Sequence, residues 1–219
     1  VVLCMLVTID IAVQLIHLAS VRARSAKEQA AVEGVREVFS STTFDLANLP
    51  TQGSPSAQLV LVEFSDFECP FCRRHATTVL EQLQSRFVKT GKLRYAFANN
   101  PLPQHANAKL LAIASVCAAK QDHFWEMHGV IFTKQPKTRR SITGHLQELD
   151  VNPQRFEECL DSSEPLQQVE RDTKTATELG PSFALGRVDP RGTVSVERLI
   201  VGSQSIEVFE KAINDVLSN

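Results

Sequence analysis

Cys69 and Cys72, separated by Pro70 and Phe71, are the residues of this chain best suited to chemistry. Two thiols at this spacing can close to a disulfide and reopen, passing two electrons each time. The pair follows LVLVEFSD from Leu59, an apolar and β-branched run short enough for a buried strand, and it stands where a helix should begin. A first helical turn presents unpaired N–H groups and the positive end of the helix dipole, which favour a thiolate at Cys69. Pro70 suits the first helical position because it has no N–H to leave unpaired. Cys69 is then the attacking and attacked sulfur, and Cys72, deeper in the helix, resolves the mixed disulfide. Two other uses fit worse. A structural disulfide across two residues constrains the unfolded chain little. A zinc site needs about four ligands, and neither a second C-x-x-C nor an H-x-x-x-H appears, His75, His123 and His128 included.

These cysteines need a scaffold. Beyond them Leu80, Leu83 and Phe87 mark one helix face, and KLRYAFA from Lys92 reads as a second strand after the Thr90-Gly91 turn. Residues 59–98 therefore form a strand, helix, strand unit with a parallel pair. Residues 105–179 show helical stretches broken at Pro136, Gly144, Pro153 and Pro165, and no convincing strand. SFALG and VSVERLIV read as two more strands around the turn-like Asp189-Pro190-Arg191-Gly192. A closing helix puts Ile206, Phe209, Ile213, Val216 and Leu217 on one face, with Ser205 placed to cap it.

The 219 residues, 43% hydrophobic and 22% charged, suffice for one domain and an appendage. With 23 basic against 25 acidic residues there is no single-sign field to steer nucleic acid. The first nineteen residues, VVLCMLVTIDIAVQLIHLA, are mostly apolar, near the length that spans a bilayer, and Cys4 among them has a small apolar role. Asp10, Gln14 and His17 share one helical face of this run. We expect residues 1–20 to be a transmembrane anchor or signal-like segment, a retained anchor being favoured because no tidy A-x-A cleavage site follows, although Arg22, Arg24 and Lys27 behind it run against the usual positive-inside order. Residues 21–54 are expected to be stem and linker. Val32, Val35, Val38 and Phe39 suggest a short amphipathic helix, and a Ser, Thr, Gly and Pro-rich stretch follows. The domain is expected over 55–219, with a helical insertion at about 105–179.

VEFSDFECPFCRRH, PLPQHANAKLLAIASVC, FWEMHGVIF, FEECL, LGPSFALG and LIVGSQSIEVFEKAI together resemble the DsbA-like proteins of the thioredoxin superfamily, over about residues 45–217. The resemblance implies an α/β thioredoxin fold with an inserted helical domain. It gives Pro181 the position of the family's cis-proline, beside the cysteine pair and against the substrate backbone, with Gly180 where Thr is usual. Glu63, six residues before Cys69, matches a buried acid that assists proton transfer at the inner cysteine, the reading favoured over a strand Glu that faces solvent at an edge. Strong oxidants of the family carry His between the cysteines. Phe71 lacks that donor and implies a less oxidising pair, for which Arg73 and Arg74 can compensate through charge. Cys117 and Cys159 fall in the insertion, either as buried core thiols or as a disulfide such as some relatives place there. Phe124, Trp125 and Met127 read as insertion core rather than substrate groove.

These readings combine into a membrane-anchored, extracytoplasmic thiol:disulfide oxidoreductase that makes disulfides in exported proteins, with Cys69, Cys72, Pro181 and Glu63 as catalytic residues. It needs no cofactor or metal. Its expected partners are exported proteins with cysteines, the membrane through residues 1–20, and a membrane quinone-linked reoxidant kept near by the anchor. A reductase or isomerase of the same fold, and a non-catalytic module holding an extended peptide as an added strand, are the alternatives.

Overall fold

A computed structural model describes residues 34–38, 42–179 and 183–218. Its framework is a seven-stranded sheet of β1 (Val35–Glu37), β2 (Thr43–Asp45), β3 (Thr51–Gln52), β4 (Leu59–Ser65), β5 (Arg94–Asn99), β6 (Phe183–Val188) and β7 (Thr193–Ile200). The order is β1-β7-β6-β4-β5-β3, with β2 also on β7. β4 lies in the middle, parallel to β5 and antiparallel to β6, and every residue of it is buried. Burial on both faces explains the unbroken apolar run that marks it in the sequence.

Successive β4 side chains point to opposite faces, so its residues divide into two sets. Leu59 and Leu61 join Leu83, Tyr95, Leu185 and Phe209 in one cluster. Val60, Val62 and Phe64 join Ala96, Ala98, Ala176 and Leu179 in the other. The alternation puts Glu63 on the Leu59 and Leu61 side, where two helices pack. One is α1, residues 70–88, which starts at the cysteine pair; the other is the C-terminal helix Ile206–Leu217. α1 contains two wide turns, His75–Val79 and Gln84–Val88, in which Leu80 N–H bonds to His75 O and Lys89 N–H to Gln84 O. Such i to i−5 turns often sit next to functional groups.

Between β5 and β6 the chain forms α2 (Ala108–Ala119), α3 (Phe124–Lys134), α4 (Arg139–Thr143), α5 (Pro153–Leu160) and α6 (Glu164–Leu179); Ile206–Leu217 is α7. Pro153 takes a helix-start position in α5, where proline is tolerated, and Asn152 caps that helix through Arg155 N–H at 3.0 Å. α2, α3 and α5 enclose an apolar cluster of their own around Met127, Ile131 and Phe156. α6 instead turns Ala176 and Leu179 to the second face of the sheet. The insertion thus supplies both a separate helical subdomain and the cover of the central sheet.

Several expectations change. Val35–Glu37, read as part of a helical stem, is a strand whose residues pair with Ile200, Leu199 and Arg198 of β7. Ser205 stands at the start of α7 without a side-chain cap bond; its carbonyl receives Val208 N–H at 3.2 Å. The expected transmembrane helix is not found, because no helix among the described residues is long and apolar enough to cross a membrane. α6, at 16 residues, extends about 24 Å against a bilayer core of about 30 Å, and its outer face is charged. Residues 1–20, on which that expectation fell, lie outside the described residues. The fold is accordingly a thioredoxin-like α/β domain with a helical insertion. The membrane leaves the expected partners, and the expected location loses its anchoring. The quinone-linked reoxidant loses the proximity that the anchor was expected to give it.

Candidate active site

β4 ends at Ser65, and the short turn after it places Cys69 in extended conformation at the N-cap of α1, φ −70° and ψ 123°. Pro70 is the first helical residue. The Cys69 carbonyl receives Arg73 N–H at 3.0 Å, and Cys69 N–H donates to Asp66 O at 3.1 Å. Cys69 and Cys72 are both free thiols and both half-buried. Phe71 between them projects outward, 61% exposed, with the Arg74 guanidinium 5.7 Å from its ring centre.

Side chains clamp this turn to three other parts of the molecule. Asp66, buried, accepts bonds from Glu68 N at 2.7 Å, Leu102 N at 2.6 Å and His105 Nδ1 at 2.8 Å. Glu68 accepts bonds from the backbone and side-chain amides of Asn107. Arg73 Nε donates to Phe132 O of α3 at 3.0 Å, while Arg74 donates to Ser203 Oγ and O behind β7, at 3.2 and 3.1 Å. The sulfurs are therefore held by residues from both the core and the insertion, an arrangement that keeps the turn rigid.

Cys69 and Cys72 line an apolar cavity of about 300 Å³ together with Glu63, Phe71, Arg74 and Phe183. Glu63 is 1% exposed in the central strand, where solvent does not reach it. Burial raises its carboxyl to about 7, against a lowering hydrogen bond from Tyr95. Burial likewise pushes the Cys72 thiol up to about 12, and the Glu63 charge adds to it. Cys72 therefore departs as a thiolate only with difficulty. An acid that titrates near neutrality beside it can deliver or take the proton.

Behind Glu63 lies a second layer. Tyr95 O–H donates to Glu63 Oε2, and His75 Nε2 is 3.1 Å from the same hydroxyl oxygen. His75 is fully buried, 4.5 Å from Phe183 and 5.2 Å from Phe209 between ring centres. Burial drives it down to about 3, with His128 adding to the effect, so the ring is neutral. Sequence reasoning weighed His75 only as a metal ligand and did not single out Tyr95. Both carried a usable signal: Tyr95 shares strand parity with Phe97, the parallel partner of Glu63, and His75 follows Cys72 by three residues on a helix.

Of the four expected site residues, Glu63, Cys69 and Cys72 meet around one cavity. Pro181 and Gly180 lie outside the described residues. Cys117 and Cys159 form a disulfide between α2 and α5, Cα atoms 5.7 Å apart, inside the insertion's apolar cluster. Phe124 and Met127 are buried in that cluster, and Trp125 bridges it to the core near Tyr95, 6.0 Å between ring centres. Among the described residues no group of three or more His, Cys, Asp or Glu could hold a metal ion.

The thioredoxin family model matches residues 47–215, so the chain belongs to the thioredoxin family. Disulfide bond formation protein D of Bacillus subtilis is 30% identical over 133 residues, covering 57% of this chain and 60% of the relative. A Na(+)/H(+) antiporter NhaA of Herminiimonas arsenicoxydans is 38% identical over 130 residues, 59% of this chain but 20% of that protein. The chain thus spans a fifth to three fifths of the length of these relatives. Among solved structures, oxidised BdbD from Bacillus subtilis superposes with a TM-score of 0.67 at 22% identity, covering 82% of this chain and 98% of that one. Alpha-DsbA1 of Wolbachia pipientis gives 0.66 at 17% identity, covering 78% and 92%.

Proposed function

We propose that this protein is an extracytoplasmic thiol:disulfide oxidoreductase that forms disulfides in exported proteins. The observation that carries this reading is the asymmetry of the sulfur pair: Cys69 caps a helix at the cavity, while Cys72 lies behind it against a buried carboxyl. In the oxidised enzyme a substrate thiolate attacks Cys69 Sγ, the Cys69–Cys72 bond breaks, and Cys72 leaves, taking a proton from Glu63. A second substrate thiolate then attacks the substrate sulfur of the mixed disulfide. Cys69 is released as a thiolate, with two electrons transferred to the enzyme. Pro181 is assigned a place beside the substrate backbone on its sequence position alone.

The Cys117–Cys159 disulfide supports an oxidising compartment, because such bonds seldom persist among cytosolic thiols. A reductase of the same fold is favoured by one observation, the exposed Phe71, which offers no donor to a thiolate. The test is the reduction potential of the Cys69–Cys72 pair, measured by equilibration in glutathione buffers. A value near about −120 mV supports the oxidase, whereas one near about −270 mV assigns the chain to reduction.

A further inference from the structure

We propose that Tyr95, aimed by His75, is a positioning residue for thiol–disulfide exchange: it holds Glu63 Oε2 and leaves Oε1 as the single proton site on the Cys72 side. The inference rests on the reading of Glu63 as the proton carrier for Cys72. It comes from the order of donors in the buried chain. Tyr95 has one hydroxyl proton, and that proton goes to Glu63 Oε2. His75 Nε2, in contact with the same oxygen at 3.1 Å, must then be the N–H partner. This sets the neutral tautomer, with Nδ1 unprotonated, and Nδ1 has no hydrogen-bond partner.

A tyrosine oxygen that receives a bond from behind cannot turn its own proton backwards, so His75 fixes the direction in which Tyr95 donates. Glu63 Oε1 is buried and has no partner, and Glu63 lines the cavity with both cysteines. Whether ionised or protonated, Glu63 therefore keeps Oε2 as an acceptor for Tyr95 and exchanges its proton at Oε1. When Cys72 leaves, the Oε1 proton moves to its sulfur and Glu63 becomes a carboxylate; on reoxidation the proton returns. Tyr95 and His75 keep theirs throughout.

The charged and titratable groups around Glu63 are few. Cys69, Cys72, Arg74 and His75 face it from α1 and its N-cap, Tyr95 from β5, and His128 of α3 acts on His75. Arg74 is turned to Ser203, and both histidines are neutral near pH 7, so two hydroxyls favour the carboxylate, Tyr95 first and Ser65 after it.

The experiment is a pH titration of the Glu63 carboxyl by carbon-13 NMR, assigned with Glu63→Gln, in the wild-type chain and in Tyr95→Phe, His75→Leu and His75→Gln. Disulfide reduction by a small dithiol is followed over the same pH range. Tyr95→Phe keeps the ring and its packing, and should move the Glu63 midpoint upward by about one pH unit. His75→Leu should move it the same way by less, and His75→Gln, which restores an N–H, should bring it back. An unmoved midpoint in a folded Tyr95→Phe protein overturns the proposal. A midpoint that moves with the rate profile following it supports both the positioning and the proton role of Glu63. A midpoint that moves while the rate profile stays in place upholds the positioning and overturns the proton role instead.

Discussion

The chain holds two cysteine pairs in opposite states, and their surroundings explain the difference. Cys117 and Cys159 are 42 residues apart, on facing helices of the insertion, and bonded within an apolar cluster. Cys69 and Cys72 lie on one helical turn, half-exposed, with Glu63 behind and an open cavity in front. The first pair ties two elements together, and closing it removes freedom from a long loop of the unfolded chain. The second ties nothing, and its bond can open without loss of the fold. Proximity in sequence selects for chemistry, and distance in sequence for stability.

The comparison breaks at once if the two pairs prove interchangeable. Replacing Cys69 by Ser removes the attacked sulfur and should reduce dithiol oxidation to background, with the melting temperature nearly unchanged. Turnover of a model dithiol and a thermal melt check both halves. Replacing Cys117 and Cys159 by Ala should do the reverse. The loop of 42 residues corresponds to a loss of about 4 kcal/mol of stability, read by urea unfolding, with the exchange rate retained.

A smaller effect sharpens the role of surroundings. Glu63 is raised from 4.5 to about 7 by burial, so between those values the folded protein binds a proton that the unfolded chain has released. Stability from this group is present below the unfolded value and is lost as pH rises through 7. Glu63→Gln should therefore stabilise the protein at pH 8, by on the order of 3 kcal/mol, and change little near pH 4. An equal effect at both pH values would show that the carboxyl is not held neutral by burial. His75 and His128 act at the other end: lowered to about 3 by burial, they withdraw stability as pH falls below about 6. The smallest expected effect is Phe71→His. A donor beside Cys69 should raise the reduction potential by on the order of 30 mV, visible in glutathione equilibration.

The active-site half of the molecule was legible in the sequence because its signals are local. LVLVEFS reads as a buried strand from its unbroken apolar run, and CPFC marks the start of the helix after it. Helical breaks at Pro136, Gly144 and Pro153 match the ends of α3, α4 and the start of α5. Val35–Glu37 was not legible, since three residues at ambiguous spacing take their conformation from β7, more than 160 positions away. The apolar run at residues 1–20 carried a membrane reading that no described helix supports.

By itself, then, the sequence determined the closely spaced cysteine pair, the strand and helix that present it, and the alternation of helices and strands around them, because these follow from neighbours along the chain. Only the tertiary structure decided that Glu63 lies in the central strand rather than at an edge, that Tyr95 and His75 stand behind it, and that Cys117 meets Cys159. Each of those contacts joins residues at least 20 positions apart or depends on which strand lies beside which. Spacing along one segment carries no record of such neighbours. They exist once the sheet has closed its order and the helices have covered both faces.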